Sequence, residues 1–155
     1  MLELAAPVLR RFCTLEVNVG PALTIGPSPF GQRRAVPITG GRVSGDQISG
    51  TIMPGGHDWQ TIGSDGLADY EAHYALETED GALVEIVDAG LRHGPADVMK
   101  RLAAGEHVSP ADYYMRSRVR FTTGHPKYAW VNRMLLLGTG ARNGAAVQID
   151  LYAVE

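Results

Sequence analysis

The sequence is short of the features that mark several large classes of protein. It holds one cysteine, Cys13, in 155 residues, so an internal disulfide framework is excluded and a reducing compartment is favoured. No apolar run is long enough to cross a bilayer, and the N-terminal segment lacks the apolar core of a signal peptide. These absences predict a cytoplasmic protein without a membrane partner.

Concentrated positive charge is also missing. The net charge is −3, and the basic residues are spread along the chain. Nucleic acids and anionic membranes are bound through a concentrated basic face, so we expect neither as a partner. With 45% hydrophobic and 20% charged residues the composition is that of an ordinary globular protein. The length suits a single domain over residues 1–155.

Sequence motifs for metals and nucleotide cofactors are absent. The five histidines are scattered singly, at positions 57, 73, 93, 107 and 125. Metal sites often take two ligands from one element at His-x-His or His-x3-His spacing, and that pattern does not occur. Walker-type, Gly-x-Gly-x-x-Gly and Gly-x-Ser-x-Gly motifs are missing too. The sequence therefore predicts no metal and no cofactor.

Short apolar stretches between turns are the dominant pattern of the chain, because 19 glycines and nine prolines separate them. Alternation is clearest over residues 69–78, and Asn143-Gly144 is typical of a tight hairpin. The pattern predicts strands over residues 12–19, 35–38, 47–53, 59–62, 69–78, 82–90 and 115–122, and two more in residues 130–155. Residues 20–34 carry three prolines and are predicted to form a long loop, a candidate lid.

One helix is predicted, over residues 95–104, between Pro95 and Gly105. Without a βαβ rhythm these elements indicate an all-β fold. We favour a single antiparallel β-barrel with this one short helix over a sandwich. A closed barrel has no sheet edges and leaves room for one small ligand.

Polar residues follow a Gly-Gly turn in residues 53–60, MPGGHDWQ. Asp58 either caps the turn or acts as an acid–base group. Trp59 is either part of the core or a wall against which a ring-bearing ligand stacks. His57 is best interpreted as an exposed turn histidine. In GLRHG, residues 90–94, Arg92 would bind a carboxylate or polarise a carbonyl if it points into the barrel, with a surface position as the even alternative.

Two further patterns carry candidate residues. Arginines at 116, 118 and 120 share one strand face, and three cations inside a small barrel would be too costly. We therefore expect this stripe to face solvent or a second subunit of a homo-oligomer, with Arg116 the member best placed to turn inward. In HPKYAWVNR, Tyr128, Trp130 and Asn132 alternate; together with Tyr70 and Tyr74 they suit either a small-molecule pocket or an aromatic core.

A resemblance to a known family is carried by five segments: VPITGGRVSGDQISGTIMPGGHDWQ, YALETEDGALVEI, GLRHGP, YYMRSRVRFTTGHPKYAWVNRMLLLGTG and VQIDLYAVE. They resemble an uncharacterised family of bacteria and fungi, domain of unknown function three-two-three-seven, from about Phe12 to the C-terminus. The resemblance implies a lipocalin-like β-barrel with a solvent-reachable cavity and no settled activity. The family's recurring features match Gly55, Gly56, Asp58, Trp59, Gln60, Gly90, Arg92, Arg116, Tyr128, Ala129, Trp130 and Asn132.

Two departures from that family limit what is carried over. The family usually has Ala where His57 stands, so His57 is a poor candidate for shared chemistry. It often has Phe-Glu-Thr-Gly where this chain reads Phe121-Thr122-Thr123-Gly124, so a mechanism based on that glutamate is in doubt.

These observations predict a small-molecule-binding barrel that is a cofactor-free isomerase, cyclase or lyase acting on an aromatic or polyketide-like metabolite. Asp58 would move a proton and Arg92 would hold an oxyanion. The residues expected to bind substrate are Trp59, Gln60, Tyr74, Arg116, Tyr128, Trp130 and Asn132. The alternative is a non-catalytic carrier or sensor of a small hydrophobic ligand. A raised pKa of Asp58 beside Arg92 would favour the enzyme.

Overall fold

The computed structural model describes all 155 residues, and antiparallel strands make up most of it. In chain order the strands are β1 (Leu9–Val19), β2 (Leu23–Ser28), β3 (Gly31–Ser44), β4 (Gly50–Ile52), β5 (His57–Ile62), β6 (Ala68–Thr78), β7 (Leu83–His93), β8 (Tyr114–Thr122), β9 (Leu136–Asn143) and β10 (Ala146–Val154). The helix α1 (Ala96–Ala103) follows β7. Two 3₁₀ segments, η1 (Pro110–Asp112) and η2 (Pro126–Arg133), flank β8.

The sheet closes on itself because β1 pairs with β10 on one side and with β3 on the other. Strands β4 and β5 share one place between β3 and β6, so the barrel has eight strand positions. Every pairing is antiparallel, which confirms the predicted barrel. The predicted helix is confirmed as α1, whose buried residues Val98 and Leu102 face the barrel. None of the helices has the length and apolar character needed to span a bilayer.

The predicted strands over residues 35–38 and 47–53 are instead β3 (Gly31–Ser44) and β4 (Gly50–Ile52), and two further segments differ in type. The predicted long loop over residues 20–34 is instead a hairpin of β2 and the start of β3. Strand β2 pairs with β3 alone, so its other edge is free, and an edge strand tolerates Pro27. Residues 126–133 form the 3₁₀ segment η2 rather than the start of a strand, since Pro126 opens a helical turn.

The two ends of the barrel are filled differently. A cluster of 22 buried residues fills one half, which we call the closed end, and Tyr128 and Val131 of η2 belong to it. A cluster of six residues packs α1 over the other half, which we call the mouth: Tyr70, Val98, Leu102, Val108, Tyr113 and Met115. The smaller apolar cluster leaves space in the mouth that polar side chains share.

Candidate functional site

The Met53–Gly56 turn divides one strand position into β4 and β5 and sets the direction of the residues that follow. The turn stays tied to β3: the Gly55 amide donates to the Ile38 carbonyl at 3.1 Å, and the Ile38 amide donates to the Gly56 carbonyl at 2.8 Å. Gly56 lies so close to β6 that a Cβ there would be 2.5 Å from the His73 carbonyl oxygen. Strand β5 therefore restarts tightly against β6.

In β5, alternate side chains point to opposite sides of the barrel wall. Asp58 and Gln60 line the interior of the mouth. Trp59 points outward with 45% of its surface exposed, and its ring centroid lies 5.9 Å from that of His57. The side chains of Asp58 and Gln60 thus lie inside the barrel, and the rings of His57 and Trp59 lie on its outer surface.

A cavity of about 260 Å³ lies in the mouth. Met99, Leu102 and Ala103 of α1 form its apolar ceiling, and Val36, Met115 and Val147 add to its walls. Its polar lining consists of Arg34, Asp58, Gln60, Tyr70, Arg92 and Arg142. Five strands supply these six side chains, so the constellation exists only once the barrel has closed.

A chain of hydrogen bonds holds the acid in place. Arg34 Nε donates to Gln60 Oε1 at 2.7 Å, and Gln60 Nε2 donates to Asp58 Oδ2 at 2.5 Å. Gln60 is 5% exposed, so its amide is fixed between its two partners. Asp58 Oδ1 and Arg92 Nε are both buried, and neither has a hydrogen-bond partner in the protein. One acceptor and one donor are therefore left for a bound molecule.

Burial has the largest effect on the pKa of Asp58. It raises the pKa of the Asp58 carboxyl above its ordinary value, against the opposing effects of the Gln60 hydrogen bond and of the Arg92 and Arg34 charges. Burial also lowers the pKa of Arg92, and repulsion by Arg34 adds to that effect. Both guanidinium groups stay charged at neutral pH because the ordinary pKa of arginine is so high. A carboxyl group with a raised pKa, beside guanidinium groups that stay charged, is an arrangement suited to proton transfer.

A second acid, Asp88, lies inside the barrel and is 1% exposed. Burial raises the pKa of Asp88 to about 7; Asp58 adds to the rise, and the Ser117 side chain opposes it. Asp88 Oδ1 and the Tyr74 hydroxyl are buried without hydrogen-bond partners. Asp88 and Asp58 are thus electrostatically linked, and the proton affinity of each depends on the charge of the other.

Gly90 leaves space for the Tyr70 hydroxyl and the Ser117 side chain inside the barrel. A Cβ at Gly90 would lie 2.7 Å from the Tyr70 hydroxyl and 2.7 Å from Ser117 Cβ. Burial raises the pKa of Tyr70, and the nearby Asp88 raises it further, so the phenol is a proton donor at neutral pH. The glycine therefore lets Tyr70 reach across β7 toward Ser117.

Of the predicted site residues, the structure brings Asp58, Gln60 and Arg92 into one cavity. Trp59 faces outward, and Tyr74 is buried in the large apolar cluster rather than in the cavity lining. Arg116 also faces outward: its Nη1 donates to the Met115 carbonyl at 2.9 Å, and its guanidinium lies 5.3 Å from the Tyr114 ring centroid. Arg116 stays with the outward stripe and does not turn inward, since the alternation along β8 directs Met115 and Ser117 inward instead.

The expectation that Tyr128, Trp130 and Asn132 share this cavity is wrong, because all three lie in η2 at the closed end. The Tyr128 hydroxyl donates to Asp80 Oδ1 at 2.9 Å. Asn132 accepts from the Thr123 amide and donates to the Thr123 carbonyl, both at 2.9 Å. The Trp130 ring packs edge-on against Phe12 at 5.9 Å. A 3₁₀ turn removes the two-residue alternation on which the prediction depended.

Sequence reasoning did not select Arg34, Asp88 or Arg142. A detectable signal existed for Asp88, which follows Val84 and Ile86 at two-residue spacing and so shares their inward face. Arg34 lies in the segment that its prolines predict to be a loop, so no strand alternation indicates the direction of its side chain. Arg142 lies beside the Asn143-Gly144 turn, and only closure of the barrel brings it near β3.

The histidines and the other metal-ligating side chains do not converge. No group of three or more His, Cys, Asp or Glu side chains is placed to hold a metal ion. That the protein works without a metal remains a prediction.

Comparison with known proteins identifies a family. The family model described as "Protein of unknown function (DUF3237)" matches residues 7–154. A UPF0311 protein from Rhodopseudomonas palustris is 43% identical over 141 residues, which cover 91% of this chain and 92% of that protein. The crystal structure of a conserved protein of unknown function from the same species has a TM-score of 0.92 at 38% identity, covering 98% of this chain and 100% of that one.

A fungal relative extends the comparison to a protein named as an enzyme. The hydroalkoxylation enzyme phnH of Penicillium herquei is 28% identical over 149 residues, covering 96% of this chain and 85% of that protein. The crystal structure of an enzyme from the same fungus has a TM-score of 0.76 at 23% identity, covering 100% of this chain and 99% of that chain. The second likeness establishes the shared barrel and nothing beyond it.

Proposed function

The chain belongs to the family described as protein of unknown function (DUF3237), and within it we propose that this protein is a cofactor-independent enzyme that moves a proton on a small molecule bound in the mouth. The observation that carries the proposal is that a buried acid and a buried cation line the same cavity. Asp58 has a raised pKa, and Asp58 Oδ1 and Arg92 Nε each lack a partner.

Asp58 serves as the acid–base group. In its ionised form it removes a proton from a carbon next to a carbonyl, and the electron pair moves onto the carbonyl oxygen. Arg92 stabilises the charge that develops on that oxygen. Gln60 holds the carboxylate in one orientation through the 2.5 Å hydrogen bond to Oδ2, so Oδ1 faces the substrate.

The fate of the proton sets the reaction type. Its return to a different carbon is an isomerisation, and departure of a group from the neighbouring carbon is a lyase reaction. Delivery of a proton from Asp58 to a carbon–carbon double bond, with attack by an internal hydroxyl that gives its own proton back to the Asp58 carboxylate, is a cyclisation. Hydroalkoxylation, the activity in the fungal relative's name, adds an alcohol across such a bond, which supports the cyclase type within this group.

The cavity supports a compact substrate. Its volume of about 260 Å³ lies just below the range of about 300–1,000 Å³ usual for drug-sized ligands. The apolar ceiling of α1 and the Tyr70 ring suit the flat face of a single aromatic or enone ring. We expect a metabolite of about one ring rather than an extended polycyclic molecule.

The experiment uses the proton itself as the label. Wild-type protein is incubated in D₂O with a metabolite extract, and mass spectrometry detects compounds that gain deuterium at carbon. The Asp58→Asn variant keeps the shape of the side chain and should label the same compounds at least about a hundredfold more slowly. Asp69→Asn, which changes an exposed acid on the neighbouring strand β6, is the matched control and should match the wild type.

Equal labelling by wild type and Asp58→Asn would contradict the proposal. If wild-type protein retains a compound from the extract but labels none, the result favours a carrier or sensor with the same cavity.

A further inference from the structure

Charge in the mouth is unbalanced. Three arginines line the cavity, Arg34, Arg92 and Arg142, against the single carboxylate of Asp58. None of the three forms an ion pair with a carboxylate within 4.0 Å. Arg34 and Arg92 are partly buried, whereas Arg142 is exposed. Partly buried cations are costly without an anionic partner, so an anion would stabilise this arrangement.

The protein's own groups satisfy only part of these arginines. Arg34 Nε is occupied by Gln60, and Arg142 Nε donates to the Gly144 carbonyl at 3.0 Å. Arg92 Nε is buried with no partner. Asp58 lies in the same cavity, and no ion pair within 4.0 Å joins it to Arg92. A bound anion can therefore reach Arg92 without displacing an internal contact.

Repulsion among the arginines points the same way. Arg34 lowers the pKa of Arg92, and Arg142 lowers the pKa of Arg34, in each case added to the effect of burial. An anion placed among the arginines attracts each of them and so offsets their mutual repulsion. The guanidinium fork also matches a carboxylate in geometry, with two parallel N–H groups for two oxygens.

We propose that the substrate is a small organic acid whose carboxylate binds among Arg92, Arg142 and Arg34, with its carbon skeleton under α1 and its reacting carbon at Asp58 Oδ1. This inference rests on the proposed function and names its substrate class. At roughly 30 Å³ for each water molecule in the liquid, the cavity of about 260 Å³ has the volume of about nine waters, which suits a single-ring acid. A phosphate ester offers the same anionic chemistry, but the apolar ceiling formed by Met99, Leu102 and Ala103 favours a carboxylate on a hydrocarbon body.

The test compares benzoate, benzamide and inorganic phosphate as binding probes by isothermal titration at constant ionic strength. Benzoate and benzamide have the same shape and size, and only benzoate is anionic at neutral pH. We expect benzoate to bind at least tenfold more tightly than benzamide and phosphate. Arg92→Gln and Arg142→Gln should each weaken benzoate at least tenfold, whereas Arg116→Gln, on the outer face of β8, should leave it unchanged.

Folding of the variants is checked so that loss of structure is not taken for loss of a contact. Arg92→Lys keeps the charge without the fork and should retain part of the benzoate affinity lost in Arg92→Gln. Equal affinity for benzoate and benzamide overturns the proposal. So does an equal loss in Arg116→Gln and Arg92→Gln. Phosphate binding more tightly than benzoate would also overturn it in favour of a phosphate ester.

The outcome is separable from that of the proposed function. Asp58→Asn removes a negative charge from the cavity, so it should bind benzoate at least as tightly as the wild type. If benzoate shows no preference while Asp58→Asn still abolishes deuterium labelling, the substrate class is wrong and the proton-transfer role stands. If benzoate is preferred while labelling is unaffected in Asp58→Asn, the mouth binds acids but Asp58 does no chemistry.

Discussion

At the closed end, the carboxylate of Asp80 accepts hydrogen bonds from the Thr78 hydroxyl at 2.6 Å and the Tyr128 hydroxyl at 2.9 Å, and it is paired with Lys127. These partners hold the pKa of Asp80 well below its ordinary value. In the mouth, Asp58 accepts one hydrogen bond, and burial raises its pKa. The same side chain is locked in its charged form at one end of the barrel and kept ready to change charge at the other.

Packing differs between the ends in a matching way. At the closed end, Phe12 packs edge-on against Phe121 at 6.0 Å, and η2 closes the barrel with buried Tyr128 and Val131. In the mouth, α1 covers a cavity rather than filling it. The closed end therefore holds the barrel together, and the stability it supplies lets the mouth keep buried charges that destabilise the fold.

The largest effect on stability is expected from Phe121→Ala. Phe121 is 0% exposed, so its removal leaves a cavity and should lower the free energy of unfolding by about 3–5 kcal/mol. Urea denaturation measures the change. Phe30→Ala is the control, since Phe30 is 84% exposed and its loss should cost less than about 0.5 kcal/mol. A loss below about 1 kcal/mol in Phe121→Ala would show that the closed end is not the stabilising half.

The next effect concerns the pH dependence of stability through Asp88. Its pKa is raised from 3.8 to about 7 in the folded protein, so between these values the folded state binds the extra proton. Stability from this group is therefore greatest below pH 4 and falls as pH rises toward 7, by about 1.4 kcal/mol for each pH unit. Asp88→Asn should remove that fall in urea denaturation at pH 5, 6 and 7.

Asp69→Asn serves as the control for that series, because Asp69 is exposed on β6. It should show the wild-type pH dependence. If Asp88→Asn retains the full wild-type slope, burial does not raise the pKa of Asp88 in the folded protein.

Asp80 should show the opposite dependence on pH, with a smaller effect because it is exposed. Its pKa is lowered, so its stabilising contribution is present above the ordinary Asp value near 4 and is lost as pH falls through the lowered value. Asp80→Asn should lower the melting temperature at pH 7, and the difference from wild type should shrink on acidification. Glu79→Gln, at the adjacent exposed position, should leave the melting temperature unchanged. A larger deficit at low pH would contradict the assignment.

The smallest effect is expected from Trp59→Phe. Trp59 lies next to Asp58 in sequence but on the outer face of β5, so benzoate affinity should stay within about twofold of the wild type. Isothermal titration measures it alongside the arginine variants. A tenfold loss of affinity would mean that Trp59 contacts the ligand and that its side chain points into the barrel.

Strand periodicity is enough to predict the barrel. Asp58 and Arg92 are predicted to lie in turns that gather at one mouth, and the structure has them in β5 and β7, lining one cavity. The turn chemistry of Asn143-Gly144 and the Pro95-to-Gly105 helix also matched, because both are determined by local backbone preferences. Applied strictly, alternation also separates Trp59 from Asp58 and assigns Asp88 to the interior. Trp59 and Asp58 are alike in being suited to a ligand site, but their neighbouring positions on β5 put them on opposite faces.

Other parts of the site required the closed structure. Pro126 begins a 3₁₀ turn. The local preference of proline for such a turn does not indicate at which end of the barrel Tyr128 and Asn132 lie. Arg34 and Arg142 are far apart in the chain and meet only because β1 and β10 close the sheet. The convergence of cations in the mouth is thus a property of topology, which a single sequence does not display.

The charge state of Asp58 is the most direct test of the account, and carbon-13 NMR titration of the side-chain carboxyl groups measures it. The Asp58→Asn variant identifies the signal by its absence. We predict that Asp58 titrates with a pKa above the ordinary value of about 3.9, because burial outweighs the Gln60 hydrogen bond and the two arginines. Bound benzoate should raise that pKa further. A pKa at or below the ordinary value would mean that Asp58 is a locked ion like Asp80, and the mouth would not be a proton-transfer site.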